Sequence, residues 1–354
     1  MGRAYDSWVT DDYVERVGPI GGSVKRRGTT PATGRRFRRN LARGVSLLEM
    51  GAGTNRVALS GIAVVFLAAF MRISFAAEET AAENAHATSQ EWVVRADPPS
   101  LLNGGPVLFS VTPSAPLKSL TGTWLGHTVV FSSGTSGWFA LAGISLETRP
   151  GAYDLILEGR SVDGNSHRFE QRFAVGPASY PTVQLTVAKK FTAPSPEQRQ
   201  QIQEDQELKQ KVFRQTTPER EWAGRFEPPV EAPISDVFGT RRVFNGVTQS
   251  VHQGLDYRVP PATPVSAVNK GTVILARPLY FEGNCVVLDH GQGLLSLYLH
   301  LAEIGVKEGE RVERGQQIGL SGATGRATGP HLHVAVRWQG VYLNPAVLLS
   351  LPLP

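Results

Sequence analysis

The histidines between Val251 and Val336 constrain this chain more than any other feature. That stretch holds five of the eight histidines, with His252 four residues before Asp256 and His331 two residues before His333. A hydrolytic zinc site takes three ligands from histidine and carboxylate side chains and leaves a fourth position open for water. We therefore predict that His252, Asp256 and His333 bind a zinc ion (Zn2+).

The local pattern around these residues indicates strands. Apolar residues alternate after His333, so His331 and His333 would lie on one face of a strand, and one can bind metal while the other stays free. Gly254, between His252 and Asp256, favours a turn that enters a strand over a helix.

A general base must come from the histidines that are not ligands, because the chain contains no His-Glu-x-x-His motif. His300 and His331 are the candidates, since an unperturbed imidazole titrates at about pH 6.5 and can exchange a proton with water. Tyr298 and Arg241 are further candidates for a substrate groove, although a surface ion pair explains Arg241 equally well. His290 is typical of a hairpin turn, and we leave it out of the site.

Three spaced motifs carry a resemblance to a known family. They are His252-x-x-x-Asp256, Tyr298-x-His300-Leu301 and Thr324-Gly-x-x-Thr-Gly-Pro-His331-Leu-His333. Over roughly Pro233 to Pro345 they resemble the lysostaphin-type (LytM-like) zinc endopeptidases. That resemblance implies an antiparallel β-roll that hydrolyses peptide cross-links of bacterial peptidoglycan. It also implies that His300 and His331 flank the attacking water, one as its base and the other steadying the tetrahedral intermediate.

The resemblance leaves two main functions open. One is a zinc endopeptidase that acts on peptidoglycan stem peptides during cell-wall remodelling. The other is a non-catalytic regulator of cell-wall amidases, because some chains with this fold have lost their zinc ligands and activate amidases instead. A scaffold that only binds the cell wall is a third function, and like the regulator it would not need the zinc ligands that this chain has kept. Retention of all five residues favours the enzyme, and they are His252, Asp256, His300, His331 and His333. Cell-envelope regulators would be further partners in either case.

The charge distribution argues against nucleic acid as a partner. The whole chain carries a net charge of +5, but residues 1–56 contain eleven Lys and Arg against five Asp and Glu, a net charge of +6. That leaves −1 for residues 57–354, so no basic patch remains there. Cys285 is the single cysteine, which excludes an intrachain disulfide, and its alternating apolar neighbours predict a buried structural thiol.

An apolar run indicates export. Val57–Met71 is uncharged and follows Arg56. Its fifteen residues fall short of the roughly 20 that a spanning helix needs and fit the core of a signal peptide, with Ser74-Phe75-Ala76 as the cleavage site. We predict a signal peptide or membrane anchor at residues 50–76, with a buried helix as the alternative. The protein would then work in the periplasm or cell envelope and touch the membrane only through an uncleaved segment.

Residues 1–49 precede this run and lack apolar periodicity. Met50 lies seven residues before Val57, so a start at Met50 would give a signal peptide of ordinary length. A mis-set start codon and a cytoplasmic arm on an uncleaved anchor both fit this pattern.

The remaining chain is predicted to be mainly β, with a β-sandwich, a helical linker and an antiparallel β-roll. Residues 90–190 contain seven or eight short β-like runs between turns, which predicts an immunoglobulin-like β-sandwich. His127 and His167 fall there beside turns and are expected at the surface. Residues 233–350 again have a β-strand pattern, with glycines at the turns between short strands, and they form the predicted zinc peptidase domain.

Residues 191–232 form the predicted linker. Ser195–Gln215 is a helix with Ser195 as N-cap and Pro196 at its first position. Its apolar residues form only a thin stripe, so we expect the linker to pack weakly and to position or restrain the peptidase. A fragment covering Pro233–Pro354 should then fold and cleave peptidoglycan by itself.

The export prediction is tested by cell fractionation of the full chain and of a chain started at Met50. We expect both to leave the cytoplasm equally well, because the apolar run and the cleavage site are present in each. Export of the full chain alone would show that residues 1–49 are a required part of the protein.

Overall fold

Short β-strands joined by tight turns make up most of the molecule. The structure is a computed structural model, and it describes residues 92–191, 193–215, 217–246 and 248–354. The expected arm at 1–49 and the signal peptide or anchor at 50–76 lie outside these residues. Within the described part of the chain, no helix is long and apolar enough to cross a bilayer.

The first part of the described chain contributes ten strands, and nine of them form two sheets. One sheet has the order β1-β3-β7-β6 and the other has the order β2-β9-β8-β4-β5. The strands are β1 (Val93–Asp97), β2 (Leu101–Leu102), β3 (Pro106–Thr112), β4 (Leu117–Trp124), β5 (His127–Val130), β6 (Ser132–Gly134), β7 (Gly137–Gly143), β8 (Gly151–Ser161), β9 (Ser166–Gly176) and β10 (Thr182–Leu185).

Aromatic side chains link these two sheets. The ring of Phe109 on β3 lies 5.2 Å from that of Trp124 on β4 and 5.3 Å from that of Phe173 on β9. Such pairs add roughly 0.5–1.5 kcal/mol beyond the area they bury. Phe109, Trp124 and Phe173 therefore belong to one core that the two sheets share.

The second part of the described chain contributes thirteen strands and two helices. An eight-stranded sheet has the order β11-β14-β22-β18-β17-β16-β20 with β23 beside β22, and β15, β21 and β19 form a smaller sheet. The elements are α1 (Pro196–Phe213), β11 (Ile234–Asp236), β12 (Arg241–Phe244), β13 (Thr248–Val251), β14 (Leu255–Tyr257), β15 (Pro264–Ser266), β16 (Gly271–Leu279), β17 (Gly283–Asp289), β18 (Leu294–Leu301), β19 (Glu303–Ile304), β20 (Arg311–Val312), β21 (Gln317–Leu320), β22 (Leu332–Trp338), β23 (Val341–Leu343) and α2 (Pro345–Ser350); a 3-10 turn spans Lys189–Phe191.

The central strands of the large sheet are covered on both faces. Every residue of β18 and of β22 is buried. Along β18, Leu294 and Tyr298 join one hydrophobic cluster, whereas Leu295, Leu297 and Leu299 join another. This double burial explains why β18 reads as an almost continuous apolar run rather than an alternating one.

Tyr298 and His290 belong to a buried polar chain in one of these clusters. The Tyr298 hydroxyl accepts from the backbone N–H of Val268 at 2.8 Å and lies 3.1 Å from the Ser296 hydroxyl. His290 Nε2 lies 2.7 Å from the same serine hydroxyl, and its Nδ1 donates to the carbonyl of Lys270 at 2.7 Å. Burial lowers the pKa of His290 to about 4, so the ring is neutral at neutral pH. Both side chains therefore have structural roles.

Helix α1 is fixed to the large sheet, and the expectation that the linker packs weakly is wrong. Ser195 caps the helix as predicted, in a capping box with Gln198. Lys209 forms a buried ion pair with Glu282, and an Asp205 oxygen accepts from the backbone N–H of Tyr280 at 2.6 Å. Removing one partner of a buried ion pair typically costs about 3–5 kcal/mol. The prediction of weak packing counted only the apolar residues of the helix and therefore did not include these polar contacts.

The segment after α1 is also part of the core. The side chains of Trp222 and Phe226 are each 2% exposed. The backbone N–H of Glu221 donates to the carbonyl of His290 at 2.8 Å, and that of Glu227 donates to the carbonyl of Val268 at 2.9 Å. Residues 217–232 therefore cover one face of the large sheet.

The first ten strands contact the second part of the described chain directly. β10 pairs in parallel with β12 in a separate three-stranded sheet of order β10-β12-β13, from Thr182 opposite Arg241 to Leu185 opposite Phe244. The ring of His127 lies 5.1 Å from that of Trp338. His127 is half-buried there, which corrects its expected surface position, whereas His167 is exposed as predicted.

The packing of residues 217–232 is tested by Trp222→Ala in the full chain. We expect the free energy of unfolding to fall by about 3–5 kcal/mol, because a large buried ring is deleted. The control is Val162→Ala, at a side chain that is 73% exposed, and it should change stability by less than about 0.5 kcal/mol. Equal effects in denaturant unfolding would restore the view that this segment packs weakly, and with it the prospect that Pro233–Pro354 folds alone.

Candidate metal centre and active site

Three side chains converge where β14 meets β22. Asp256 on β14 lies directly opposite His333 on β22 in an antiparallel register. His252 follows β13, and its backbone N–H donates to the carbonyl of Thr240 at 2.8 Å. Asp256 Oδ1 lies 3.0 Å from His252 Nε2 and 2.8 Å from His333 Nδ1, and the two nitrogens are 3.0 Å apart. One oxygen and two nitrogens can therefore address a single ion.

Gly254 makes this convergence possible. A Cβ atom at this position would lie 2.4 Å from His333 Nε2 and 2.6 Å from the carbonyl oxygen of Val334. Any other residue would therefore push β14 away from β22. The chain between His252 and Asp256 is irregular and then enters β14 at Leu255, so the predicted turn entering a strand is confirmed.

Arg242 orients the Asp256 carboxylate. Its guanidinium donates to Asp256 Oδ2 at 2.5 Å and to Asp236 Oδ2 at 2.6 Å. Asp256 Oδ1 is thereby left to face His252 and His333. Burial alone would raise the pKa of Asp256, but contact with His252 and then with His333 holds that pKa well below its usual value. The carboxylate is therefore ionised at neutral pH.

The protonation of the two ligand candidates suits a divalent cation. His252 Nδ1 donates to the carbonyl of Val237 at 2.8 Å, which leaves the lone pair on Nε2. Burial lowers the pKa of His333 to about 4, against the opposing effect of Asp256, so that imidazole is neutral at neutral pH. Two imidazoles and one carboxylate are a donor set found in hydrolytic zinc sites. Without a proton or a cation between them, these lone pairs would repel each other at about 3 Å, so the residues present fit a metal ion.

His300 and His331 lie beside this group with their rings 4.8 Å apart. His300 Nδ1 donates to the carbonyl of Thr324 at 2.9 Å, and His331 Nδ1 donates to the carbonyl of Gly329 at 2.8 Å. In the neutral tautomers that these bonds select, both Nε2 atoms keep their lone pairs. His331 Nε2 is 3.9 Å from Asp256 Oδ1.

The backbone at His300 is held in the left-handed region, with φ of 63°. Its N–H donates to the carbonyl of Glu282 at 2.8 Å, where the pairing of β17 with β18 shifts register. Residues other than glycine rarely adopt this conformation, and such positions cluster at functional sites. Burial and then the neighbouring His331 and His333 lower the pKa of His300 well below its ordinary value, so its ring is neutral at neutral pH.

All five predicted site residues line one cavity of about 380 Å³. Its walls also include Arg242, Phe244 and Arg326, together with side chains from β10 and Lys209 from α1. Of the two further candidates, Arg241 is exposed and is not part of the wall, and Tyr298 is buried in the sheet. The sequence reasoning missed Arg242, although alternation along β12 places it and Phe244 on the opposite face from Arg241.

Comparison with known proteins agrees with this geometry. Residues 250–345 match Peptidase family M23. The peptidoglycan DD-endopeptidase ShyA of Vibrio cholerae is 44% identical over 122 residues, which are 34% of this chain and 28% of that protein. The DD-carboxypeptidase/endopeptidase Mpg of Neisseria meningitidis is 41% identical over 128 residues, which are 36% of this chain and 29% of that protein. The chain thus spans less than a third of the length of these relatives.

A solved structure extends the similarity beyond the site. The crystal structure of a putative peptidase M23 from Pseudomonas aeruginosa is 31% identical, with a TM-score of 0.54. The match covers 70% of this chain and 95% of that one. It therefore extends well beyond residues 250–345, and the chain belongs to peptidase family M23.

Proposed function

We propose that this protein is a zinc-dependent endopeptidase that hydrolyses the peptide cross-links of bacterial peptidoglycan. The observation that carries the proposal is the convergence of His252, Asp256 and His333 beside the imidazoles of His300 and His331 in one cavity. The names of the relatives ShyA and Mpg support the substrate class.

The proposed metal ligands are His252 Nε2, Asp256 Oδ1 and His333 Nδ1. Zinc bound there would act as a Lewis acid on the scissile carbonyl and would lower the pKa of a water molecule towards about 7. Arg242 holds the second oxygen of Asp256, and the Val237 carbonyl fixes the tautomer of His252. Partners of this kind orient metal ligands and raise affinity.

The proposed catalytic groups are His300 and His331. Each ring is oriented by a backbone carbonyl at Nδ1, so each offers Nε2 to the reacting atoms. One of them would take a proton from the attacking water and later pass it to the leaving amine. The other would hydrogen-bond to the tetrahedral intermediate. Because both rings are oriented in the same way, the geometry leaves open which histidine has which role.

A non-catalytic regulator of cell-wall amidases is the alternative. That function needs a surface of the fold but no ligand set. The chain keeps two imidazoles and an ionised carboxylate in contact, together with two oriented histidines beside them. A regulator would have no use for this arrangement, so the enzyme is favoured.

We also propose that the protein acts outside the cytoplasm, as the apolar run at residues 57–71 and a peptidoglycan substrate both indicate. The proposal for residues 90–190 is an immunoglobulin-like β-sandwich, and an experimental structure in which the two sheets did not face each other would contradict it.

This part of the chain also contributes to the proposed substrate cleft. The cavity is lined by Val183 and Leu185 of β10 and by Val187, which follows that strand.

Metal binding is tested by elemental analysis of purified variants. We expect one zinc ion per wild-type chain and near-complete loss in His333→Ala, because two ligands cannot hold the ion tightly. His167→Ala, at an exposed histidine outside the site, is the control and should keep full occupancy. Full occupancy in a folded His333→Ala protein would refute this ligand set.

Catalysis is tested by digesting purified sacculi and analysing the released muropeptides. We expect His300→Ala and His331→Ala to keep their zinc but to lose activity by about 10²–10⁴-fold, the usual contribution of a general acid–base group. Cleavage at the wild-type rate would make that histidine structural. If the zinc-loaded wild-type protein left every cross-link intact, the regulator would replace the enzyme as the better proposal.

A further inference from the structure

Arg326 lies in the wall of the cavity and forms no ion pair with a described carboxylate. Its guanidinium carbon lies 4.5 Å from the centre of the Phe281 ring and 5.0 Å from that of Phe244. The side chain is half-buried, and burial lowers its pKa to about 10, so it remains charged at neutral pH.

Two other cations of the cavity form ion pairs with carboxylates, whereas Arg326 does not. Arg242 pairs with Asp236 and Asp256, and Lys209 pairs with Glu282. Among the described residues, no carboxylate oxygen lies within 4.0 Å of the Arg326 guanidinium, and no acceptor takes a hydrogen bond from it. The Glu282 carboxylate opposes the effect of burial on the pKa of Arg326, but it lies beyond ion-pair distance and pairs with Lys209. The N–H donors of Arg326 are therefore available to a ligand in the cavity.

The position of Arg326 relative to His300 is set by a single turn. The backbone N–H of Arg326 donates to the carbonyl of Phe281, and that of His300 donates to the carbonyl of the next residue, Glu282, both at 2.8 Å. Gly325, with φ of 70°, brings the loop close: a Cβ there would lie 2.3 Å from the Gly283 nitrogen. The backbones of Arg326 and His300 are therefore hydrogen-bonded to adjacent carbonyls, and both residues line the cavity.

The chemistry of this group indicates its ligand. A guanidinium presents N–H donors in a planar arrangement that matches a carboxylate, and here it contacts the two aromatic rings of Phe244 and Phe281. We propose that Arg326 binds a free carboxylate of the peptide substrate and selects stem peptides that carry one near the scissile bond. The inference rests on the proposed endopeptidase function, because it deepens the substrate class of the same cavity.

The test uses a synthetic dimer of two cross-linked stem tetrapeptides and the same dimer with its free carboxylates converted to primary amides. Dissociation constants are measured by calorimetry on the full-length protein after metal removal, so that binding is recorded without turnover. We expect the wild-type protein to bind the carboxylate form roughly 10- to 100-fold more tightly, the range of a hydrogen bond to a charged group.

Arg326→Met keeps the apolar stem beside the rings and removes the planar N–H donors, so it should abolish this preference. Arg326→Lys keeps the charge without the planar arrangement and should restore part of it. Thermal unfolding of each variant shows whether it is folded. The matched control is Arg258→Gln, because Arg258 lines the same cavity but is exposed, and this variant should keep the preference.

Equal binding of the two dimers by the wild-type protein would overturn the inference. So would an equal loss of preference in Arg258→Gln, since the selectivity would then come from the general charge of the cavity. If Arg326→Met failed to fold, the Arg326→Lys ratio would decide, and a full wild-type preference there would also overturn the inference. Failure of the proposed function would appear separately, as intact sacculi after incubation with the zinc-loaded wild-type protein.

Discussion

The Asp256 carboxylate is the interaction on which the site depends. One of its oxygens is held by Arg242 and the other faces His252 and His333. The arrangement requires β14 and β22 in one register, because a slip of a single residue would turn Asp256 to the opposite face of the sheet. Gly254 protects that register by allowing the two backbones to approach. A short strand and one glycine thus set the geometry of all three proposed ligands.

The sheet that carries the site is covered by residues from outside the three motifs. Because β18 and β22 are buried on both faces, they need covers that the three motifs do not supply. Helix α1 covers one face, where Phe213 joins the hydrophobic cluster and Lys209 forms an ion pair with Glu282. Trp222 and Phe226 join the cluster on the other face. The strands that carry the proposed site are therefore buried by residues 196–232, although none of the motifs lies there.

The sequence was informative where chemistry depends on short spacing. The His252, Asp256 and His333 set, the two further histidines and the Ser195 cap follow from local patterns, and the structure brings all five site residues to one cavity. Long-range packing was not predictable. The choice between Arg241 and Arg242 depends on which face of β12 meets the cavity. The prediction that α1 packs weakly was based on its apolar residues and did not include the polar contacts of Lys209 and Asp205. Likewise, His127 contacts Trp338 across more than 200 residues of sequence.

Charge within the cavity is divided between two ends. At the proposed metal end, the anionic Asp256 is held by Arg242 and faces two imidazoles, so the set would gain from a divalent cation. At the other end, Arg326 contacts two aromatic rings and forms no ion pair with a described carboxylate. A peptide bound across the cavity would meet the proposed metal site beside His300 and the proposed carboxylate site at Arg326, and the backbones of these two residues are hydrogen-bonded to the adjacent carbonyls of Glu282 and Phe281. Two such anchors would orient the scissile bond, and positioning of this kind accelerates a reaction by removing freedom before the chemical step.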